Sequence, residues 1–370
     1  MPFCIGQLEL CSHLFLSPLA GYTNLPFRLI IREIGGAGLC TTDLVNARSL
    51  LEKNRKALKL IESSPEDRPL AVQLFGSVPE EMRDAALFLE SQGVVAVDIN
   101  MGCPVRKVCK IGGGSSMMLE HEKATRLIEI LVCAIKIPVT CKMRLGWDEK
   151  NITAPDLAQR LEGVGVACIT VHGRTREQGF SGKVNLTGIR SVVQAVRHIP
   201  VVGNGDITTP QAAKRMFDET GCAAIGIGRG AFYNPWIFQH TLHYLTTNEL
   251  LPEPTFEERL GIMSKHLNRM IEVFGEETGC RMFRKVATWY SKRFGPAAEF
   301  NRRIVLLHSR KEFDEIVENY TIWRQQILEK RPQFYSSDPS LLQDRNSKSR
   351  EPPVATRETI PIPPGPNELW

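Results

Sequence analysis

Short apolar runs recur along the first part of the chain, each followed by a longer stretch in which apolar residues return at helical spacing. The runs are Leu14 to Ser17, Leu39 to Thr42, Leu70 to Leu74, Val95 to Ile99, Val139 to Met143, Cys168 to Val171, Val201 to Gly203 and Ala224 to Ile227. Their shortness and apolar content predict eight buried strands. Between them Pro79 to Gln92, His121 to Ala134, Ala154 to Glu162, Leu186 to Val196 and Thr209 to Thr220 carry the pattern of amphipathic helices. Eight such units over roughly 225 residues favour a closed (β/α)8 TIM barrel over an open doubly wound sheet, which usually needs fewer strands.

After Pro235-Trp236 the alternation stops and helical signals remain. Thr255 to Glu258 and Ser309 to Glu312 read as capping boxes. The first precedes Met263, Leu267, Met270 and Phe274; the second precedes Phe313, Ile316, Val317, Tyr320, Trp323 and Ile327. The expected organisation is therefore a catalytic barrel over 1–239, a small all-helical domain over 240–330 and a tail over 331–370. The tail is rich in proline, serine and charge, and disorder is expected there.

The net charge of +5 over 370 residues is too small to diagnose nucleic-acid binding, so the distribution of charge has to decide. The ten cysteines include no Cys-x-x-Cys pair, which argues against a metal site, and several lie within apolar strands, as thiols of a reducing compartment do. Met1 to Gln7 lacks the features of a signal peptide, and no apolar run is long enough to span a bilayer. A cytoplasmic monomer without membrane contact or metal is expected.

Chemistry concentrates where the strands end. Asp98-Ile99-Asn100-Met101-Gly102-Cys103-Pro104 closes an apolar strand with a polar loop carrying one thiol, and in a parallel barrel the carboxyl ends of the strands form the catalytic face. A lone cysteine is more often a small buried hydrophobe. Nearly every other predicted strand ends in comparable fashion, however: Ser17-Pro18-Leu19-Ala20-Gly21, Gln73 with Gly76-Ser77, Lys142-Met143-Arg144, His172-Gly173-Arg174-Thr175-Arg176, Asn204-Gly205-Asp206 and Gly228-Arg229-Gly230. Taken together they argue for one ring-shaped site. The last two segments suit phosphate, with glycines admitting close backbone approach and Arg229 pairing with the oxygens. No Gly-x-Gly-x-x-Gly follows a strand, so FMN, with its single phosphate, fits better than a tightly bound nicotinamide. Lys142 could then stabilise negative charge on the N1 and C2 carbonyl side of a reduced flavin.

These segments, with Tyr22-Thr23-Asn24, Val72 to Gly76 and Asn234-Pro235-Trp236, occur in an order and spacing that resemble the tRNA-dihydrouridine synthase family, most similarly its bacterial B-type branch. The resemblance covers about 10 to 330. One departure is Val184-Asn185-Leu186, where the family commonly has an Ala-Asp-Trp-like segment.

The resemblance implies NADPH-dependent reduction of the C5=C6 bond of a tRNA uridine, with FMN carrying hydride to C6 and Cys103 donating the proton at C5. A thiol with a pKa near about 8.5 is mostly protonated at neutral pH, as an acid must be. The same resemblance assigns FMN contacts to Pro18, Leu19, Ala20, Gln73, Lys142, His172, Asn204, Gly205, Asp206, Gly228 and Arg229. It makes Asn100 and Arg144 candidates for holding the uracil. Lys107 to Lys110 with Gly112-Gly113-Gly114 reads as a loop that could close over substrate near RNA phosphates. In the helical domain Arg281, Lys285, Thr288 and Lys292 share one largely basic face, the expected grip on tRNA. Two rivals stay open: a flavin barrel acting on a small molecule, and a non-catalytic RNA-binding protein that keeps the barrel as scaffold.

Overall fold

A computed structural model describes residues 3–330. The chain divides into two compact units, residues 3–231 with Trp236–Leu251, and Phe232–Pro235 with 252–330. The helix Ile237–Thr247 runs unbroken through the boundary expected at 239/240. The expected disordered tail lies outside the described residues.

The first unit begins with an antiparallel hairpin of β1 (Phe3–Ile5) and β2 (Leu8–Leu10). Eight parallel strands follow: β3 (Leu14–Leu16), β4 (Leu39–Asn46), β5 (Leu70–Phe75), β6 (Ala96–Met101), β7 (Val139–Arg144), β8 (Cys168–His172), β9 (Val201–Asn204) and β10 (Ala224–Ile227). They close in sequence order, β10 pairing β3 through Ile225 and Leu14, which is the expected TIM barrel. The sequence places all eight within two residues of the observed bounds at almost every end. The exception is β4, which runs four residues further past a register shift between Thr41 and Leu44.

Along these strands the residues that face the barrel axis change character with height. Phe15, Leu39, Ala71, Ala96, Cys168, Val202 and Ala224, each first or second in its strand, pack with Phe3, Ile5 and Leu10 of the hairpin into one apolar cluster. The hairpin thus covers the amino-terminal end of the barrel. Two residues further along, the same face carries Gln73, Asp98 and Thr170, and beyond them Asn100, Arg144 and His172, because successive inward positions are two apart in a strand. Apolar closure at one end and polar chemistry at the other are therefore written in the same strands.

The predicted helices form as Pro79–Ser91, His121–Ala134, Ala154–Gly163, Leu186–Ala195 and Pro210–Thr220. Thr209 accepts the N–H of Ala212 to start the last of these, and Gly221 at φ +70° ends it. Asn185, in the segment that departs from the family pattern, caps its helix by accepting the Gly188 N–H at 2.8 Å. The helix Leu25–Ile34 is not among the expected elements, although Asn24 caps it and Phe27, Ile30 and Ile31 bury one face; nor are Ala47–Leu51, Arg55–Leu60 and the hairpin, which are too short to show a period.

The second unit is all-helical, with Phe256–Phe274, Glu276–Tyr290, Ala298–Ile304 and Arg310–Lys330 around buried Met263, Leu267, Met270, Phe283, Phe300 and Phe313. The box at Thr255 is complete: Glu258 donates its N–H to the Thr255 hydroxyl at 3.2 Å and its carboxylate accepts the Thr255 N–H at 2.7 Å. The box expected at Ser309 forms only by half, because the Glu312 carboxylate takes the N–H of His308 instead. Trp323, grouped with the apolar positions, is exposed and stacks on Tyr320. No helix of the described residues is long and apolar enough to cross a membrane.

Candidate active site

A cavity of about 260 Å³ opens among the carboxyl ends of the strands, slightly below the usual size of a small-molecule site. Every barrel residue expected at the site lines it. Pro18, Leu19 and Ala20 come from the segment after β3, Gln73 from β5, Asn100 and Cys103 from β6 and its loop, Lys142 and Arg144 from β7, and His172 from β8. Asn204, Gly205, Asp206, Gly228 and Arg229 complete the ring. Arg281, Lys285 and Lys292 belong to the second unit.

The segment after β3 is held from β4. Buried Asp43 accepts the Gly21 N–H at 2.8 Å and the Thr23 hydroxyl at 3.0 Å, and that hydroxyl accepts the Leu19 N–H at 3.1 Å. Burial pushes the Asp43 carboxyl up to about 6.

Lys142 donates to Asn204 Oδ1 at 3.1 Å, while Asn204 Nδ2 donates to the Gly226 carbonyl at 2.7 Å and to Ser17 at 3.3 Å. One amide thus orients the lysine and joins β9 to both its second neighbour and β10. Burial and then the Arg144 charge lower the amine to about 8. The same burial, aided by Arg144 and Lys142, holds His172 well below its usual range, so the imidazole is neutral at pH 7.

Arg144 spends three N–H groups on the backbone, Nε on Gly102 at 2.9 Å and Nη1 on Thr175 at 2.8 Å and Gly179 at 2.7 Å. Asp206, at φ +52°, accepts from Arg174 at 3.0 and 2.5 Å and from Arg229 at 3.3 Å. Its carboxylate is therefore occupied in aiming arginines, and Arg174 continues to the Ser181 and Gly182 carbonyls at 3.0 and 2.6 Å. Phe180 on this loop lines the cavity, with the Arg229 guanidinium 4.6 Å and that of Arg144 5.5 Å from its ring centroid. Gly205, at φ +128°, brings the backbone so close that an added Cβ would lie 2.5 Å from Val184, the first residue of the departure from the family pattern. Sequence reasoning does not single out Arg174, Phe180 or Asp43; the only signal for the first is its place in the His-Gly-Arg-Thr-Arg segment.

Cys103 stands two residues past β6, half-buried at the cavity wall. Burial raises its pKa, which keeps the thiol protonated at neutral pH. The stretch expected to be a loop over substrate is instead a short helix, Arg106–Lys110, followed by the 3₁₀ turn Gly114–Leu119. Its Arg106, Lys107 and Lys110 are exposed.

Three cations line the cavity, Lys142, Arg144 and Arg229, against one carboxylate, Asp206, which is already shared by two arginines. Buried charge without its counter-charge is costly, so this wall suits a ligand that brings negative charge. Among the described residues, no three His, Cys, Asp or Glu side chains lie together as metal ligands would.

A closed parallel barrel with a cationic, thiol-bearing pocket at its carboxyl end defines an α/β-barrel enzyme. A family model described as "Dihydrouridine synthase (Dus)" matches residues 15–327, and the chain belongs to that family of oxidoreductases. A probable tRNA-dihydrouridine synthase of Rickettsia bellii is 38% identical over 319 residues, 86% of this chain and 97% of that protein. tRNA-dihydrouridine synthase B of Xanthomonas axonopodis pv. citri is 36% identical over 80% of this chain and 89% of its own length. The B enzyme of Proteus vulgaris is also 36% identical, over 85% and 97%. Among solved structures, histamine dehydrogenase from Rhizobium sp. 4-9 shares the fold at a TM-score of 0.51 and 11% identity, covering 72% of this chain. An amine oxidase acting on 6-hydroxypseudooxynicotine, from Pseudomonas geniculata N1, gives 0.52 at 15% identity over 66%. The chain spans about half the length of these two solved chains.

Proposed function

We propose that this protein reduces the C5=C6 bond of uridine in tRNA to dihydrouridine in the cytoplasm, with FMN as bound cofactor and NADPH as reductant. The observation that carries the reading is the placement of a protonated thiol, Cys103, on the wall of the same cavity that gathers Lys142, Arg144 and Arg229.

The residues fit a phosphate-bearing flavin because the cavity wall sets three cations against one carboxylate, Asp206, which two arginines already share, and because its donors converge from several strands. Arg229, with the backbone at Gly205 and Gly228, would hold the phosphate; Lys142 and Gln73 would face the polar edge of the ring, and Pro18 to Ala20 its apolar edge. When bound, FMN supplies the two electrons added at C6. The chain's own part is to bring the base out of the folded tRNA into this pocket, to hold it, and to deliver a proton to C5. Asn100 and Arg144 are the donors available to the uracil carbonyls. Cys103 holds the proton without needing a thiolate-stabilising partner, which an acid role does not require. Arg281, Lys285 and Lys292 are exposed on the second unit and offer charge to the RNA backbone.

The test is to purify the protein, identify any released flavin, reduce it anaerobically with NADPH and add unmodified tRNA. Reoxidation of the flavin with formation of dihydrouridine is the expected result; a colourless protein, or a flavin that tRNA leaves reduced, contradicts the reading. Mapping dihydrouridine in tRNA from cells lacking the gene would then identify the position.

A further inference from the structure

Asp98 lies below the reactive loop and does not line the cavity, yet it begins an unbroken chain of hydrogen bonds that ends on the backbone of Cys103. Its Oδ1 accepts from the Thr140 hydroxyl at 2.6 Å and its Oδ2 from Gln73 Nε2 at 2.6 Å. Gln73 Oε1 accepts from Asn100 Nδ2, again at 2.6 Å. Asn100 Oδ1 in turn accepts the N–H groups of Gly102 at 3.2 Å and Cys103 at 2.9 Å. All four side chains are buried, with Gln73 fully enclosed, so the bonds form in a medium where each is strong and a mismatch is costly.

The chain has a direction. A side-chain amide has two ends of nearly the same size and opposite polarity, and packing alone chooses poorly between them. A carboxylate accepts and does not donate, so Asp98 obliges Gln73 to present its NH2. That leaves Gln73 an oxygen for Asn100, which obliges Asn100 to present its own NH2 there. The Asn100 oxygen is then directed at the two backbone N–H groups. Were Gln73 reversed, its NH2 would meet the NH2 of Asn100; were both reversed, an NH2 would meet the N–H of Cys103.

We propose that Asp98 is a positioning residue which, two amides away, sets the polarity of Gln73 and Asn100 and so fixes the Cys103 backbone and the hydrogen-bonding character of the site. Both lone pairs of Asn100 Oδ1 are used by Gly102 and Cys103, and one of its two N–H groups by Gln73. What Asn100 retains for a ligand is one donor and no acceptor. It therefore favours a base that presents a carbonyl there, as uracil does at C4, over one that presents an amino group, as cytosine does. This substrate preference rests on the proposed uridine reduction; the positioning of Cys103 does not.

The experiment compares the full-length protein with Asp98→Asn, Asp98→Leu and Gln73→Met. Amide hydrogen exchange is followed at Gly102 and Cys103 by mass spectrometry. In parallel, flavin reduction by NADPH and reoxidation by tRNA are measured separately. Asparagine can turn either end to Gln73, because the Thr140 hydroxyl can donate or accept, so Asp98→Asn should release the direction of the chain and speed exchange at both amides. Asp98→Leu should speed exchange at the two amides and slow reoxidation by about tenfold or more, the scale of one lost buried hydrogen bond, while reduction by NADPH changes little. Unchanged exchange in Asp98→Leu overturns the proposal. So does wild-type exchange in Asp98→Asn, since an acceptor-only group would then not be what sets the direction. If Asp98→Leu does not fold, Gln73→Met decides by the same exchange measurement: faster exchange supports the chain, and retained protection overturns it. A wild-type flavin that tRNA fails to reoxidise would remove the uridine reading and the base preference, and the exchange data would still decide the positioning.

Discussion

Ser115 donates twice to the carbonyl of Cys103, through its backbone N–H at 3.1 Å and through its hydroxyl, also at 3.1 Å. Cys109 Sγ approaches the same oxygen at 3.5 Å, and Gly114, at φ +60°, is so close that a Cβ there would sit 2.7 Å from it. With Asn100 accepting the Cys103 N–H, the peptide groups on both sides of the thiol are fixed. A side chain so held contributes through where its proton is. Cys103→Ala is therefore expected to keep FMN and to be reduced by NADPH at a near-normal rate. Anaerobic reoxidation by tRNA should slow by roughly 10²- to 10⁴-fold, the usual contribution of a positioned general acid. Reoxidation at the wild-type rate would assign the proton to another group.

The Lys142 amine gives a pH signature. Its pKa in the folded chain, about 8, lies below the ordinary 10.5, so its stabilising contribution is complete above 10.5 and is lost as pH falls through 8. At neutral pH the charged amine thus costs the cofactor-free protein stability, and an anionic ligand relieves that cost. FMN affinity should fall as pH rises from 7 to 9, with proton uptake on binding, measurable by calorimetry in buffers of different ionisation enthalpy. Lys142→Met should bind FMN more weakly and lose both dependences. A wild-type affinity that is flat across this range would show that the amine does not meet the ligand.

Stability has its own test at Arg28 and Asp67, which are both fully buried and paired at 2.7 Å. Arg28 also donates to the carbonyls of Thr23 at 2.7 Å and Glu62 at 2.6 Å, tying the segment after β3 to the connection before β5. Removing one partner leaves an uncompensated charge, and Asp67→Ala should cost about 3–5 kcal/mol in urea unfolding. Replacing both partners by apolar residues should recover part of that loss.

On the helical unit, Arg281 and Lys285 lie exposed on Glu276–Tyr290, whereas Lys292 falls in the following 3₁₀ turn. Its amine rests over the rings of Tyr233 at 5.0 Å and Trp289 at 4.5 Å. Alanine at all three positions should weaken tRNA binding and flatten its salt dependence, by about 0.9 in the logarithmic slope for each duplex phosphate no longer neutralised. Flavin reduction by NADPH should be unaffected. An unaltered slope would move the RNA surface elsewhere.

The barrel is legible in the sequence because each strand begins as a short apolar run and the five helices from Pro79–Ser91 to Pro210–Thr220 each show a full amphipathic period. The polar ring is legible because glycines, asparagines and basic residues at strand ends break those runs visibly. What escapes is polar chemistry inside the strands. Asp98, Gln73 and Thr140 sit on buried β-structure, where a polar residue gives a one-residue interruption and says nothing of its partner 25 or 42 positions away. Family resemblance marks Gln73, and Asp98 shows only as the first residue of the motif that ends at Pro104. Phe180 and Arg174 escape for a related reason: they act through a loop whose path depends on backbone carbonyls that no side-chain pattern records. The short helix at Arg106–Lys110 leaves no trace because five residues are too few to show a period.

The seam between β3 and β10 sets a schedule for the growing polypeptide. Leu14 emerges early from the ribosome, yet its hydrogen-bonded neighbour Ile225 is made only after every other barrel strand. Asn204 likewise reaches back 187 positions to Ser17. Pairings this distant in sequence slow folding, since closure entropy must be met before they can form. Until translation has passed Arg229, the thiol, the lysine and the arginines have no common enclosure. A nascent chain halted before that point would already carry Cys103, Lys142 and Arg144 and lack the pocket that gathers them.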